Sequence, residues 1–470
     1  MSQHKYTDGY RKKRPADSAR LAALDILAQV REEGAYANII SSATLVDYGL
    51  SGRDAAFALE LAYGTLRMRG LYDAILERCC NIELSQLDPL VLDVLRLGAH
   101  QIVSMRVPPH AALAQTVDVA RHVSSDGPAR LSNAVLRRVS ERDPEDWFKL
   151  ITVEKAKLEA DSTRYSHPLW ITQALYDSLQ VSGLGESLED LLEADNKAAK
   201  VNLAARPSLI SQSELLAEVG ARGRPGDLSS NCVILNSGVP SHIESIREGS
   251  AGVQDQGSQL VTELFVNTEI SGPDRRWLDL CAGPGGKAAL LAGYAAERGA
   301  NLLANELHEH RARLVAKSLR AFPRDLYRIR IGDGAKIGED SRIEHGFDRI
   351  LLDAPCSGLG SLRRRPEARW VKSEGDLPEL LDLQSRLLDS AFEVLRLGGL
   401  LGYVTCSPHL GETRDQVVAF QKRHSVELLN LAEIYPQFDS RYFRTDGTLQ
   451  LWPHLGGTDA MFLAIFRKVK

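Results

Sequence analysis

Six cysteines stand at 79, 80, 232, 281, 356 and 406, and two of them close apolar runs that read as strands. These are Asp353-Ala354-Pro355-Cys356-Ser357-Gly358 and Val404-Thr405-Cys406-Ser407-Pro408. The thiolate is a strong nucleophile near neutral pH, and covalent attack splits one hard step into two easier ones. Two thiols at one sheet edge could therefore divide attack on a carbon from release of the product. A third run, Trp277-Leu278-Asp279-Leu280, feeds the loop Cys281-Ala282-Gly283-Pro284-Gly285-Gly286-Lys287. Its glycines remove side chains, so that backbone amides at the start of the next helix can approach a nucleotide-like ligand. Thiols beside such a cofactor point to covalent chemistry on a base.

Carbon 5 of cytosine fits that description. It is a poor nucleophile, and addition of a thiolate across carbon 6 activates it. Asp353 could hydrogen-bond N3 and the amino group, stabilising the charge that develops. The methyl group would come from S-adenosylmethionine, and a base would then remove the carbon 5 proton to expel the thiol. In open α/β sheets ligands bind beyond the carboxyl ends of the strands. Those ends here are Cys281, Glu306, Asp333, Asp353 and Cys406. Glu306 lies 20 residues beyond Gly286, where such folds set an acid on ribose hydroxyls. Asp333 could accept a hydrogen bond from an adenine amino group. The loop and Glu306 suit NAD as well as S-adenosylmethionine, but hydride transfer needs no thiol beside a carboxylate. Cys79, Cys80, Cys232 and the side chain of Cys281 read as small core groups. No C-x-x-C and no set of four metal ligands occurs, so no metal is expected. His409 reads as a surface histidine rather than a base for Cys406.

What must position these residues follows from the rest of the chain. At 470 residues it exceeds one ordinary core, and about 150 residues per domain gives roughly three units. Hydrophobic residues at 44% and charged residues at 25% describe a globular protein. No run approaches about 18 uncharged apolar residues, and the amino terminus lacks the apolar core of a secretion signal. A cytoplasmic protein without a membrane partner is expected. The net charge of −5 leaves nucleic-acid binding to local clusters. Residues 1–15 carry Lys5, Arg11, Lys12, Lys13 and Arg14 and read as a basic flexible arm. Apolar residues at helical spacing (Leu21, Leu24, Leu27, Val30; Leu90, Val94, Leu97) make 16–142 all-helical. Residues 143–255 mix helices such as 170–179 with strands at 201–204 and 232–235, a small α+β unit. From 256 to 470 short apolar runs alternate with helices, the sign of a mostly parallel sheet. Its strands are expected at 277–281, 301–305, 327–332, 348–352 and 400–405, with a closing pair near 448–452 and 460–467. Arg363, Arg364, Arg365, Arg369 and Trp370, soon after Cys356, could hold phosphates or stack on a displaced nucleotide.

The loop at 281–287, the segment 353–358 and Thr405-Cys406-Ser407 resemble the RNA cytosine-5 methyltransferases of the Sun/RsmB type. Residues 17–142, with Asn133-Ala134-Val135-Leu136-Arg137-Arg138, look like the NusB-type helical RNA-binding domain of those proteins. Val253-Gln254-Asp255-Gln256-Gly257-Ser258 and Leu451-Trp452-Pro453-His454 also look like family segments. The resemblance implies a NusB-like all-α domain, an α+β middle domain and a Rossmann-like catalytic domain. On the residues alone the order of the thiols stays open, since DNA cytosine-5 methyltransferases attack with a Pro-Cys thiol and Pro355-Cys356 has that form. The resemblance implies Cys406 as nucleophile and Cys356 as the group assisting release. It also implies that Cys281, Ala282, Gly283, Pro284, Gly285, Gly286 and Lys287, with Glu306, Asp333 and Asp353, hold S-adenosylmethionine. The implied substrate is small-subunit (16S) ribosomal RNA before assembly is complete, and one chain carrying the whole site is compatible with a monomer. Two departures stand out: Gly283 occupies a position where the family often has alanine, and Glu306 one where aspartate is common. The competing readings are transfer RNA as substrate, a non-catalytic assembly or antitermination factor, and an NAD-dependent oxidoreductase.

Overall fold

Helices alternate with parallel strands over the second half of the computed structural model, which describes residues 16–105, 107–341, 343 and 346–470. The basic arm expected at 1–15 lies outside the described residues. Two compact units form: one runs to Gln173 and takes in Arg364–Val371, and the other holds Ala174–Arg363 and Lys372–Lys470.

The first unit is helical. Its opening helix, Ser18–Glu33, starts where the Asp17 carboxylate accepts the Arg20 N–H and ends at Gly34, whose φ of 61° suits a residue without a side chain. Leu24, Leu27 and Val30 from this helix enter one core with Leu61, Leu66, Val94 and Leu97. The helix Pro89–Val103 begins with Asp88 accepting from the Leu90 and Val91 amides. The helices over 143–173, expected to open a middle unit, pack with this one. Trp147 is the cause: it is buried with Leu71, Ile75 and Val135, and its indole N–H donates to the Val139 carbonyl at 2.9 Å.

The segment 364–371 corrects an expectation. Arg369 is fully buried and donates to the Arg67 and Ser166 carbonyls, while the Trp370 indole donates to the Leu66 carbonyl at 2.8 Å. In the second unit Arg363 donates to the Gly457 carbonyl. Guanidinium groups bonded to backbone oxygens, and an indole seated against a helix end, are not a stacking platform for a nucleotide. Their work is packing.

The second unit carries two sheets. Four antiparallel strands, β1 (Val201–Ala205), β2 (Gly223–Pro225), β3 (Cys232–Leu235) and β4 (Ala251–Val253), run in the order β2-β3-β1-β4. The larger sheet holds β5 (Arg276–Asp279), β6 (Asn301–Glu306), β7 (Tyr327–Ile331), β8 (Phe347–Asp353), β9 (Leu395–Thr405), β10 (Val426–Leu428), β11 (Leu449–Gln450) and β12 (Phe462–Lys468). Their order is β10-β12-β9-β8-β5-β6-β7, with β11 paired to β12. Strands β5 to β9 are mutually parallel where they pair, and β12 is antiparallel to β9 and β10. Successive side chains alternate faces: Leu351 joins the core containing Phe265 and Leu291, while Ile350 and Leu352 join the core containing Leu387 and Phe420. Burial on both faces explains why these strands read as unbroken apolar runs. Among the described residues no helix is long and apolar enough to cross a membrane.

Candidate active site

Strand order brings the sequence candidates to one edge. β6, β5, β8 and β9 are consecutive neighbours, so their carboxyl ends set Glu306, the 281–287 loop, Asp353 and Cys406 side by side, and β7 adds Asp333.

The loop is held from two sides. Ala282 donates to the Asn305 carbonyl, and the Asn305 amide donates to the Leu280 carbonyl. Gly285, at φ 113°, precedes the helix Gly286–Arg298 in a conformation that L side chains rarely adopt. Glu306 is buried; one oxygen accepts the Gly283 N–H at 3.0 Å and the other the His308 N–H at 3.0 Å. A Cβ at Gly283 would lie 2.2 Å from the Glu306 carboxylate. The two departures from the family pattern are therefore one: the longer acid fills the space that an alanine methyl would need.

Asp333 caps the turn after β7 through one oxygen, accepting the Ala335 N–H at 2.9 Å. Asp279, at the end of β5, is fully buried, and neither carboxyl oxygen closes a hydrogen bond among the described residues. Burial first, then Asp353, push it up to about 8, against Lys287 and the Cys281 amide. An orphaned buried carboxyl behind a side-chain-free loop, with acids at the neighbouring strand ends, fits a cofactor that brings its own donors, such as a ribose, an adenine amine and an ammonium group.

Two features were not legible in the motifs. Lys287, from the loop, donates to Asp353 at 2.9 Å, and its side chain is only 9% exposed. Burial pulls the ammonium down, but Asp353, Cys406 and Asp279 outweigh it and hold it above its ordinary range. Glu412, beyond Cys406, is fully buried against Ser357 and Gln384. Sequence offered no signal for it beyond its closeness to Cys406.

The two thiols meet, with Cys356 Sγ 3.3 Å from Cys406 Sγ and both cysteines unoxidised. That contact alone is symmetric; the surroundings are not. Asp353 opposes a negative charge on either sulfur; Lys287 favours one on Cys406, against Asp459, while Glu412 opposes one on Cys356. These charges favour Cys356 as the hydrogen-bond donor of the pair. Its S–H holds Cys406 below the ordinary thiol range despite burial and Asp353, and Cys356 itself is pushed well up. The remaining thiols are all raised by burial: Cys79 to about 11, Cys232 to about 12, Cys80 by a smaller margin and Cys281 well up. His409 is half-buried and uses Nδ1 to accept the Gly411 N–H, which caps a turn. Asp255 caps the helix Gln256–Asn267 and accepts the Asp459 N–H, so the family-like segment 253–258 is structural at that residue.

The chain is similar to known proteins along most of its length. Residues 270–467 match the family described as 16S rRNA methyltransferase RsmB/F, and residues 17–141 match the NusB family. A Mycobacterium tuberculosis protein named as a methyltransferase is 42% identical over 97% of this chain and 98% of its own length. The ribosomal RNA small subunit methyltransferase B of Escherichia coli strain 536 is 32% identical over 86% of this chain and 90% of its own. The crystal structure of PH0851 shares the fold, with a TM-score of 0.77 and 21% identity over 97% of this chain and 100% of that one. With its helical NusB segment, its parallel sheet and a thiol pair beside a glycine loop, the chain belongs to the RsmB/F family of 16S rRNA methyltransferases, S-adenosylmethionine-dependent enzymes that methylate ribosomal RNA.

Proposed function

We propose that this protein methylates carbon 5 of a cytosine in small-subunit ribosomal RNA before particle assembly is complete, through a covalent bond between Cys406 and carbon 6. The observation that carries the reading is geometric: two thiols 3.3 Å apart at the carboxyl ends of neighbouring parallel strands, with Asp353 of the same edge paired to the Lys287 ammonium group at 2.9 Å. Cofactor binding falls to the backbone of 281–287 with Glu306 on the ribose, Asp333 on the adenine amine and Asp353 close to both ligands.

The chain's own residues account for attack on the base and for departure of the thiol. A cytosine buried in a duplex is out of reach, so the target is single-stranded or flipped out. Cys406 adds to carbon 6 as the thiolate, forming a C–S bond and leaving carbon 5 electron-rich. Asp353, paired to Lys287, offers an acceptor for the exocyclic amine and orients the ring. S-adenosylmethionine, when bound, supplies the electrophilic methyl group. Once carbon 5 is methylated its proton passes to a base, the C5–C6 double bond re-forms, and Cys406 departs as the thiolate. Cys356 donates to the departing sulfur.

The Gly283–Glu306 contact gives a coupled expectation. Gly283→Ala alone weakens S-adenosylmethionine binding on the order of tenfold, because the methyl displaces a bonded carboxylate; Gly283→Ala with Glu306→Asp recovers most of the loss. Calorimetric titration of the single and double variants measures this, and losses that simply add would contradict it.

Substrate class is tested with methyl-labelled S-adenosylmethionine, unmodified small-subunit ribosomal RNA and transfer RNA in parallel. Label enters the ribosomal RNA alone if the reading holds. Label in transfer RNA alone would replace the substrate, and label in neither, despite cofactor binding, would count against activity on free RNA.

A further inference from the structure

Glu412 follows Cys406 by six residues in sequence and is fully buried. An ionised carboxylate taken out of water costs several kcal/mol unless its lone pairs are satisfied. Here one oxygen accepts the Ser357 N–H at 2.7 Å and the Gln384 amide at 3.2 Å, and the other accepts the Ser357 hydroxyl at 2.5 Å. All of these partners are neutral.

The partners are also placed with a pattern. Ser357 directly follows Cys356, Ser407 directly follows Cys406, and the two hydroxyl oxygens lie 3.0 Å apart. Gln384 reaches from the helix Leu377–Val394 to the Pro355 carbonyl at 2.9 Å, on the other side of Cys356. Tyr403 of β9 donates to the Glu412 carbonyl at 2.8 Å, which anchors the acid to the strand that delivers Cys406. One carboxylate thus lies at the centre of the bonds joining two loops, and each loop carries one thiol.

We infer that Glu412 is a positioning residue for the methylation reaction: through Ser357 and Ser407 it locks the Cys356 loop against the Cys406 loop, so that Cys356 meets the Cys406 sulfur as a hydrogen-bond donor. The inference rests on the two-thiol reading above and extends it to a residue outside the cofactor loop, bonded to Ser357 and Gln384. The charge of Glu412 adds to the lock. Cys356 faces Cys406, Glu412 and Asp353, whereas Cys406 faces Cys356, Asp353, Lys287 and Asp459. Glu412 therefore opposes a thiolate on Cys356 and leaves Cys406 to carry it.

The test uses the full-length protein with Glu412→Gln, Glu412→Ala and Ser407→Ala, compared with wild type and Cys356→Ala. Turnover on small-subunit ribosomal RNA falls on the order of 100-fold in Glu412→Ala, the cost of a small misplacement of a reacting group. S-adenosylmethionine affinity, read by calorimetry, stays within about twofold of wild type because Glu412 is no part of the cofactor loop. The fraction of protein in a denaturation-resistant RNA adduct rises toward the Cys356→Ala level, and Glu412→Gln and Ser407→Ala fall between. Loss of turnover together with loss of cofactor binding, or without a rise in adduct, would reduce Glu412 to packing, as would wild-type turnover in all three variants. A second readout needs no RNA: peptide mapping after brief iodoacetamide treatment. Wild type alkylates Cys406 ahead of Cys356, and Glu412→Gln narrows the preference by about tenfold, one unit of relative acidity. An unchanged preference overturns the inference. Absence of adduct in Cys356→Ala, with the alkylation preference still set by Glu412, would instead place the failure in the two-thiol reading.

Discussion

Cys406→Ala is expected to lower turnover by at least about 10⁴-fold and to leave no covalent RNA adduct, because nothing then attacks carbon 6. Cys356→Ala is expected to lose turnover as well, but to accumulate an adduct that survives denaturation: addition and methylation proceed while release stalls. Gel-shift of the denatured protein with bound RNA separates the two variants directly. The 3.3 Å sulfur contact by distance alone could serve either thiol. What separates the thiols is the hydrogen bond from Cys356 to Cys406 and the charges around the pair: Asp353 opposes a thiolate on either sulfur, Lys287 favours one on Cys406, and Glu412 opposes one on Cys356. Adduct in Cys406→Ala and none in Cys356→Ala would mean that Cys356 attacks.

Lys287→Met is expected to have the next largest effect. Removing the ammonium takes away a group that lowers Cys406 and leaves Asp353, which raises it, without its partner. Both changes push the Cys406 thiol upward. Below its pKa each unit of rise lowers the thiolate fraction tenfold, so the acid limb of the pH–rate profile moves to higher pH. At pH 7 kcat/KM on RNA falls on the order of 100-fold, with partial recovery toward pH 9. Lys287→Arg keeps the charge and moves the limb less. Measured at saturating S-adenosylmethionine, a limb that stays in place in Lys287→Met would remove Lys287 from the activation of Cys406.

Much of the catalytic sheet was legible because strands buried on both faces leave unbroken apolar runs, and β5, β6, β7, β8 and β9 fall within a few residues of their expected positions. Three short strands were not. β2, β4 and β10 have three residues each, too few for a periodic signal, and exist because a neighbouring strand pairs with them. β9 starts earlier than expected because Leu395–Gly399 extends it past two glycines that break the apolar run. Site residues at strand ends were readable for a topological reason, since a parallel sheet brings such ends together whatever the intervening length.

Pairings across the chain were not readable. Lys287 and Asp353 are 66 positions apart, and Glu412 and Ser357 are 55 apart. Nothing local marks either as a partner. Arg369 and Trp370 misled for the opposite reason: their types suit nucleic acid, and only the structure reveals backbone carbonyls bonded to the guanidinium and the indole. The Gly283 and Glu306 departures looked independent in sequence and become a single substitution of space once the 2.2 Å approach is known.

The central claim is the atom methylated. Ribosomal RNA methylated by the wild-type protein, digested completely to nucleosides and separated against standards, tests it most directly. The proposed reaction predicts 5-methylcytidine: thiolate addition at carbon 6 makes carbon 5 of a pyrimidine nucleophilic, and Asp353 is proposed to accept from the exocyclic amine that cytosine carries. Label in N4-methylcytidine, in a methylated purine or on the ribose would contradict the account, because none of those products has a use for Cys406.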